Sequence, residues 1–303
     1  MNNDFTVFDY WFFTMSLDEV YGWESYIGDW FFTVSIAFLV FELVRYGFKK
    51  QISRALVGDT VANFVTLAMY IAFSYGLLGA FYLSAYAYFQ EYAVLDIEIN
   101  WVSISICVLL ADLAYYWEHR FTHRVNVAWA THAVHHSSPH FNISVAYRFG
   151  PLDGLWPVFF HLPLVILGFN PVVVFFAEMF VQLFQTMLHT EAIRKLPKPL
   201  EAIFNTPSHH RVHHGSNEKY LDTNYGGIFI IWDRWFGTFA NEEERVVYGL
   251  TEPVTTINPL KIWFCGFLQL VRDQKKISGL KNKMLLWVSP PGWYPSETSA
   301  QDG

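Results

Sequence analysis

The sequence is poor in charged residues, in cysteine and, over long stretches, in basic residues. Only 16% of its 303 residues are charged, whereas ordinary soluble domains have about 25%. The two cysteines, Cys107 and Cys265, lie in apolar surroundings without CxxC spacing, which indicates neither a disulfide framework nor a thiolate metal site. A net charge of −7 without a basic stripe argues against nucleic acid as a partner.

The first 44 residues contain no lysine or arginine. A secretory signal peptide needs a basic region before its apolar core. We therefore expect no signal peptide at the start of this sequence.

The sequence is instead rich in apolar residues, which make up 53% of it. Five apolar stretches approach the ~20 residues that cross a bilayer as a helix, and "GFNP" (168–171) forms a turn between the last two. The sequence predicts an all-α polytopic membrane helix bundle of about five spans, including a helical hairpin. Buried helices of a large soluble protein are the less favoured alternative. The stretches run over 30–48, 64–89, 99–117, 152–169 and 172–188.

Basic residues indicate how these spans are oriented. Arg45, Lys49, Lys50 and Arg54 follow the first span, and the next basic residue is Arg120, after the third. The N-terminal region is acidic from Asp4 and Asp9 onwards, and no basic residue lies between 149 and 193. The positive-inside rule therefore places the N-terminus outside, with the C-terminus and the histidines on the cytoplasmic side.

All twelve histidines lie between residues 119 and 214, and most fall in three clusters with helical spacing. Residues at i, i+3 and i+4 share one helix face, so each cluster directs its imidazoles one way. His189 follows the fifth span, where it ends a polar stripe. The clusters are "HRFTH" (His119, His123), "HAVHH" (His132, His135, His136) and "HRVHH" (His210, His213, His214).

Two polar stripes with the same spacing lead to these clusters. Glu178, Gln182, Gln185 and His189 form one, and Asp112, Tyr116, His119 and His123 form the other. Polar residues inside a membrane usually face the bundle interior or a cavity. We therefore predict that the stripes converge on one cytoplasmic pocket.

The clusters and His189 supply nine candidate ligands, more than the about four that a closed zinc site takes, so two ions are expected. Imidazole binds iron, zinc and copper alike, and spacing alone does not choose between them. Candidates for residues that orient the ligands are Asp112, His209, Asp222 and Asn224. A turn built on Asx chemistry is an equal alternative for Asp222 and Asn224. His140 and His161 are expected to serve packing or hydrogen bonding.

Oxygen activation is favoured over hydrolysis, because Arg120 occupies the position of the general base in an HExxH motif. The ions would act on a lipid chain that enters from the bilayer, with electrons from a cytosolic donor. A membrane metal transporter and a zinc-dependent lipid hydrolase are the competing classes. Metal analysis and lipid-dependent oxygen consumption separate these three functions.

The histidine boxes resemble those of the fatty acid hydroxylase and sterol desaturase superfamily of membrane di-iron enzymes. Four longer strings are similar to its alkylglycerol monooxygenase branch, whose members hydroxylate the ether-linked carbon of alkyl glycerolipids using tetrahydrobiopterin. They are "YYWEHRFTHRVNVAWATHAVHHSSPHFNISVAYR" (115–148), "HTEAIRKL" (189–196), "FNTPSHHRVHHGSNEKYLDTNYGGIFIIWDRWFGTF" (204–239) and "YGLTEPVTTINPLK" (248–261).

The resemblance implies two iron ions at the nine histidines, O2 as co-substrate, and tetrahydrobiopterin or another cytosolic reductant or reductase as electron donor. Arg124 and His140 stand where the branch tends to have acidic residues, so substrate and donor stay open. A sterol desaturase and an aminolipid hydroxylase are the alternatives. The membrane would be the bacterial inner membrane, or the endoplasmic reticulum in a eukaryote.

Three regions are predicted on this basis. Residues 1–98 form a membrane region with two spans, and residues 99–250 form a fatty acid hydroxylase-type catalytic domain. Residues 251–303 contain a short apolar segment, 258–271, and a proline-rich tail. That segment either lies along the inner leaflet or packs against the cytoplasmic cap.

Overall fold

The computed structural model describes residues 13–295, and within that range the chain is helical and has no β-strand. Isolated bridges pair Phe204 with Phe229 and Gly215 with Tyr248. Asp4, Asp9 and the last eight residues of the tail lie outside the described range.

The α-helices of this range are numbered here in chain order. They are α1 (Leu17–Phe48), α2 (Arg54–Phe73), α3 (Gly79–Gln90), α4 (Trp101–Arg124), α5 (Asn126–His136), α6 (Trp156–Leu167), α7 (Pro171–Thr186), α8 (Lys198–Ile203), α9 (Pro207–His213), α10 (Ile231–Phe236), α11 (Pro259–Trp263), α12 (Cys265–Lys276) and α13 (Leu280–Val288).

Within residues 13–295, three helical segments are long enough and apolar enough to cross a membrane: α1, the continuous α2–α3 segment and α4. The helices α6 and α7 are also apolar but have only 12 and 16 residues. An all-helical fold with several apolar candidate spans is thereby confirmed. The number of about five crossings stays a prediction.

The second span begins at Arg54, ten residues before the predicted start at position 64. Its first turns bury Asp59 and Asn63, whose side-chain oxygens each accept a hydrogen bond at 2.8 Å from Arg148. Arg148 is only 1% exposed, so these polar residues face protein and not lipid. Hydropathy alone places the start of this span too late, because it cannot distinguish polar residues that face protein from polar residues that face lipid.

A π-helical turn at 74–78 joins α2 to α3. Such turns occur often at functional sites. Ser74 and Leu78 of this turn line the main cavity of the bundle, so the irregular turn contributes to a cavity wall.

The predicted turn between α6 and α7 is present. Gly168 has φ +123°, and a Cβ there would collide with the carbonyl of Leu95, so glycine is required. The side chain of Asn170 accepts a hydrogen bond from the backbone N–H of Val172, and Pro171 occupies the first turn of α7. Together these residues end one helix and begin the next.

The helix α4 is the centre of the bundle and packs against α5, α6 and α7. In an apolar stretch of 18 residues, 44% of α4 is buried inside the protein, against 17% of α1 and 6% of α2–α3. The two N-terminal spans therefore present most of their apolar surface outwards, as lipid-facing helices do. The larger core cluster lies where α4, α6 and α7 meet.

The segment 258–271 forms α11 and the first part of α12, and one of its faces packs against α5. Gly266 approaches the backbone of Ala130 so closely that a Cβ would collide with its carbonyl. Leu260 and Leu268 on the same segment stay at least half exposed. Packing against α5, which bears the second histidine box, is thus established. Contact of the segment with the inner leaflet stays a prediction.

Candidate metal centre

Each histidine cluster lies at or near the end of a helix in the structure. The first cluster occupies the last two turns of α4, and the second ends α5. His189 follows α7, and the third cluster begins within α9 and ends at its C-cap. Four separate elements therefore bring their histidines to one region.

All nine predicted histidines come together, and they divide into two groups. Within each group one side-chain nitrogen per residue lies within 4.8 Å of all the others, a spacing that allows the nitrogens to share one ion. The five-histidine group consists of His119, His123, His132, His136 and His213; the four-histidine group consists of His135, His189, His210 and His214.

The two groups are neighbours. The rings of His136 and His214, one from each group, stack with their centroids 4.4 Å apart, and those of His132 and His135 lie 5.3 Å apart. Two ions held by these groups would therefore be close to one another, as in two-metal sites generally.

Backbone carbonyls orient several of the imidazoles through Nδ1. His119 donates to Tyr225, His189 to Gln185 and His213 to Thr223, each over 2.9 Å. A carbonyl oxygen can only accept, so Nδ1 carries the proton and Nε2 is left with its lone pair. This is the arrangement that orients metal-binding histidines.

The Nε2 atoms of the clustered imidazoles either face one another or have no hydrogen-bond partner. His189 and His210 bring two Nε2 atoms to 2.9 Å, and His119 and His132 bring theirs to 3.1 Å. Among the described residues, the buried Nε2 atoms of His123, His136, His213 and His214 have no hydrogen-bond partner. Buried polar groups are normally paired, so these unpaired nitrogens fit a metal that would complete them.

Burial also keeps the imidazoles neutral. It lowers the pKa of His189 to about 3 and that of His213 to about 4, although a backbone carbonyl opposes the shift in both cases. Burial and the neighbouring imidazoles hold the pKa of His214 well below its usual value. A neutral imidazole is the form that binds a metal, so the donor set is suited to two cations.

The loop "YLDTNYGG" (220–227) supplies two of the carbonyls that orient the histidines. Asp222 and Asn224 have φ of +60° and +58°, in the left-handed region that Asp and Asn tolerate better than most residues. The backbone conformation at these two residues directs the carbonyl of Thr223 towards His213 and the carbonyl of Tyr225 towards His119. The loop therefore orients ligands from both the first and the third box.

Of the two equal alternatives for Asn224 and Asp222, the one in which their side chains orient imidazole N–H groups does not match their contacts. The amide of Asn224 donates to the carbonyls of His209 and Ala240. Asp222 pairs with Arg124 at 2.6 Å, and its distance of 3.8 Å from Nδ1 of His123 is too long for a hydrogen bond. Both residues support the centre through the backbone of their loop.

Asp112 also differs from the prediction, because its partners in the described part of the chain are not histidines. Its carboxylate accepts hydrogen bonds from the backbone N–H of Ile228 and Phe229 and from the indole of Trp232. It thus anchors the segment that follows Tyr225. The predicted stripe on α4 was expected to face the pocket along its whole length. In the structure, its part with Asp112 and Tyr116 packs against this segment instead.

His209 lies outside both groups, and its Nε2 contacts Glu201 at 3.1 Å. Burial lowers the pKa of His209 to about 4, with Glu201 opposing the shift. The side chain of His209 therefore contacts Glu201 and none of the nine clustered imidazole rings. Only its backbone connects His209 to the metal centre. His161 is buried and hydrogen-bonds backbone carbonyls, among them that of Ala111 at 3.2 Å, as expected.

A cavity of about 980 Å³ leads from the histidine groups between the apolar helices. His119, His132, His135 and His189 line it, so both groups are reached from it. The predicted stripe on α7 faces this cavity along its whole length, from Glu178 to His189. The cavity is large enough for part of a long-chain lipid.

Two supporting ion pairs were not predicted from the sequence: Arg211 with Glu242, and Arg148 with Asp59. Arg211 forms a two-pronged pair with Glu242, at 2.9 and 2.7 Å, and also donates to the carbonyls of Thr190 and Ile193. The hydrogen bonds to these two carbonyls hold the chain that follows His189 against α9. Arg148 approaches the centre from the other side, where its carbonyl lies 3.3 Å from Nδ1 of His135.

Comparison with known proteins agrees with this geometry. The family model described as fatty acid hydroxylase matches residues 104–238. Residues 104–238 are a fatty acid hydroxylase domain. This domain contains all nine histidines of the two groups, and the resemblance predicted from the histidine boxes is confirmed.

The similarity to individual proteins extends beyond the fatty acid hydroxylase domain. The chain is 41% identical over 223 residues to an alkylglycerol monooxygenase from Danio rerio (73% of this chain, 49% of that protein). It is 43% identical over 203 residues to the Homo sapiens alkylglycerol monooxygenase (67% and 44%). An ornithine lipid hydroxylase from Rhizobium tropici is 34% identical over 139 residues (46% and 42%).

The chain spans about half the length of the curated relatives that it matches. No solved structure matches it significantly. These relatives and the apolar helices together indicate a multi-pass membrane protein.

Proposed function

We propose that this protein is a membrane-embedded di-iron oxygenase that hydroxylates a lipid chain with O2 and external electrons. One observation carries the proposal: two adjacent histidine groups, with buried and unpaired Nε2 atoms, lie at the end of a cavity between apolar helices. The similarity to alkylglycerol monooxygenases supports an alkyl glycerolipid as substrate.

The nine histidines would hold the two ions, four around one and five around the other. When bound, two iron ions supply the redox chemistry that activates O2. The side chains contribute nitrogen donors only, and carbonyls behind them fix the ring orientations. Because the rings are preorganised and neutral, metal binding requires little rearrangement and no proton release from these nitrogens.

The cavity would position the lipid and exclude water. Phe175, Trp156 and Leu78 are among its apolar lining residues, and His119 and His189 face its inner end. Positioning one C–H bond against a reactive centre can supply a large part of the rate enhancement. Exclusion of water protects reactive species from side reactions. Removal of a second hydrogen instead of hydroxylation would give desaturation.

The same proposal includes an orientation in the membrane. The distribution of lysine and arginine supports an outside N-terminus and a cytoplasmic metal centre. A cytosolic reductant, either tetrahydrobiopterin or a reductase, would then reach the centre directly. The membrane would be a bacterial inner membrane or the endoplasmic reticulum.

An aminolipid hydroxylase is the second candidate, supported by the similarity to the ornithine lipid hydroxylase. Lipidomics on cells with and without the protein separates the candidates, since each predicts a different hydroxylated lipid. Iron content and lipid-dependent O2 consumption of the purified protein test the reaction class. Full activity without iron or another redox metal, zinc-dependent hydrolysis, or metal transport would contradict the proposal.

A further inference from the structure

A second cluster of ionisable residues lines the same cavity and is not part of the metal centre. It consists of Glu118 on α4, His161 on α6 and Glu178 on α7. Nδ1 of His161 lies 3.7 Å from Glu118 and 3.8 Å from Glu178. Three helices thus place two carboxyl groups around one imidazole, in a region where polar groups are costly.

The two carboxyl groups differ in how they are satisfied. Glu178 accepts hydrogen bonds from the hydroxyls of Tyr82 and Tyr86, at 2.6 and 2.8 Å, one on each oxygen. The side chain of Glu118 is only 8% exposed, and its Oε2 has no hydrogen-bond partner among the described residues. A buried carboxyl oxygen without a partner is unfavourable, whereas Glu178 is complete without a ligand.

The remaining charges on the cavity wall have the same sign. Glu24 and Asp153 also line the cavity, while no lysine or arginine is found among its described lining residues. A phosphate or carboxylate on a substrate would therefore meet acidic groups without a basic partner. A group that donates hydrogen bonds would be accepted.

We propose that Glu118 accepts a hydrogen bond from the polar end of the lipid substrate and thereby selects lipids that carry hydroxyl or ammonium donors. This inference rests on the proposed function and deepens it, because it names the chemistry of the substrate's head. Glu118 precedes His119 in the chain and both residues line the cavity. A head group held at Glu118 would therefore keep the adjoining carbons of the lipid near the metal centre. Glu118 is in this sense a positioning residue.

Equilibrium binding to the purified, metal-loaded full chain under anaerobic conditions tests the proposal without any turnover. The probes are four lipids with the same hexadecyl ether chain: a free glycerol diol, its dimethyl ether, a primary amine and a phosphate monoester. The diol and the amine should bind at least about tenfold more tightly than the dimethyl ether, because the capped lipid would leave a buried acceptor without a hydrogen bond. The phosphate should bind least.

The ratio between amine and diol shows which donor the cavity prefers, and a preference for either one supports the proposal. Equal affinity for the diol and its dimethyl ether in the unaltered protein would overturn it. This comparison needs no variant and therefore does not depend on how well an altered protein folds.

Variants identify the residue responsible. Glu118→Leu removes the acceptor and should reduce the preference for the diol over the dimethyl ether to less than about threefold. It should also raise KM for the diol with little change in kcat. The exposed Glu252→Leu is the control and should match the unaltered protein. A loss of kcat with unchanged KM in Glu118→Leu would contradict a positioning role.

Failure of the inference and failure of the proposed function give different results. Discrimination between the lipids without turnover would leave the inference standing and remove the proposed oxygenase. Turnover with equal binding of capped and uncapped lipids would do the reverse.

Discussion

Replacing Asp112 by asparagine should loosen the metal centre from a distance. Asp112 is fully buried and accepts three hydrogen bonds, from the N–H of Ile228, the N–H of Phe229 and the indole of Trp232. These bonds fix the segment that follows Tyr225, whose carbonyl orients His119. The variant changes no predicted ligand, so its effect isolates the support given by the loop.

The magnitude follows from counting the hydrogen bonds. An asparagine oxygen can replace the oxygen that accepts two of them, while its NH2 group faces the third donor. At least one hydrogen bond to a charged group is then lost, which costs about 1.5–3 kcal/mol. For a chain of 303 residues, such a loss lowers the Tm by roughly 2–5 °C. Loss of a residue that orients ligands typically lowers metal affinity about 10–100-fold.

Two assays measure these effects on purified protein: thermal unfolding, and competition with a chelator of known affinity. The exposed Asp96→Asn is the matched control and should behave like the unaltered protein. If Asp112→Asn keeps both the Tm and the metal affinity of the unaltered protein, the loop does not support the centre as described.

Two further predictions concern the ligands and their surroundings. His210→Ala leaves three imidazoles in the four-histidine group, so elemental analysis should show a fall from two ions to about one, whereas His140→Ala should keep both. Half-burial opposes ionisation of Glu242, but hydrogen bonds from Arg211 outweigh it and lower its pKa below 4.5. The ion pair therefore stabilises the fold fully above pH 4.5, and this stabilisation is lost as the pH falls through the lowered pKa of Glu242. Glu242→Gln should cost about 1.5–3 kcal/mol at pH 7 and progressively less below pH 4.5, with Glu243→Gln as control; a pH-independent difference in urea unfolding would contradict the pairing.

The sequence predicted the grouping of the histidines because helical spacing is a local property. In "HAVHH", the intervals of three and four place the imidazoles on one face of α5 whatever the tertiary fold. The hairpin of α6 and α7 was predicted from local properties too. Two apolar stretches are joined by Gly168, Asn170 and Pro171, which are turn residues with defined backbone preferences.

The supporting residues could not be predicted in the same way. The acceptors for the imidazole N–H groups are backbone carbonyls, such as those of Thr223 and Tyr225, and any residue type carries a carbonyl. Asp112 was therefore assigned to a histidine that it does not contact. Its real partners lie more than 110 positions away in the chain, where local periodicity gives no information.

The acidic cavity wall was missed for a related reason. Glu118 precedes a ligand histidine and belongs to no spacing pattern, and His161 looked like an ordinary packing residue. Only the packing of α6 against α4 brings these two side chains together. The early start of α2 was missed because Arg148, which satisfies Asp59 and Asn63, lies far away in the sequence.

X-ray diffraction from crystals of the iron-loaded protein, collected above and below the iron absorption edge, tests the central claim most directly. The account predicts two anomalous peaks per chain, one among His119, His123, His132, His136 and His213 and one among His135, His189, His210 and His214. A single peak, or peaks outside these two groups, in protein that hydroxylates lipid would contradict it.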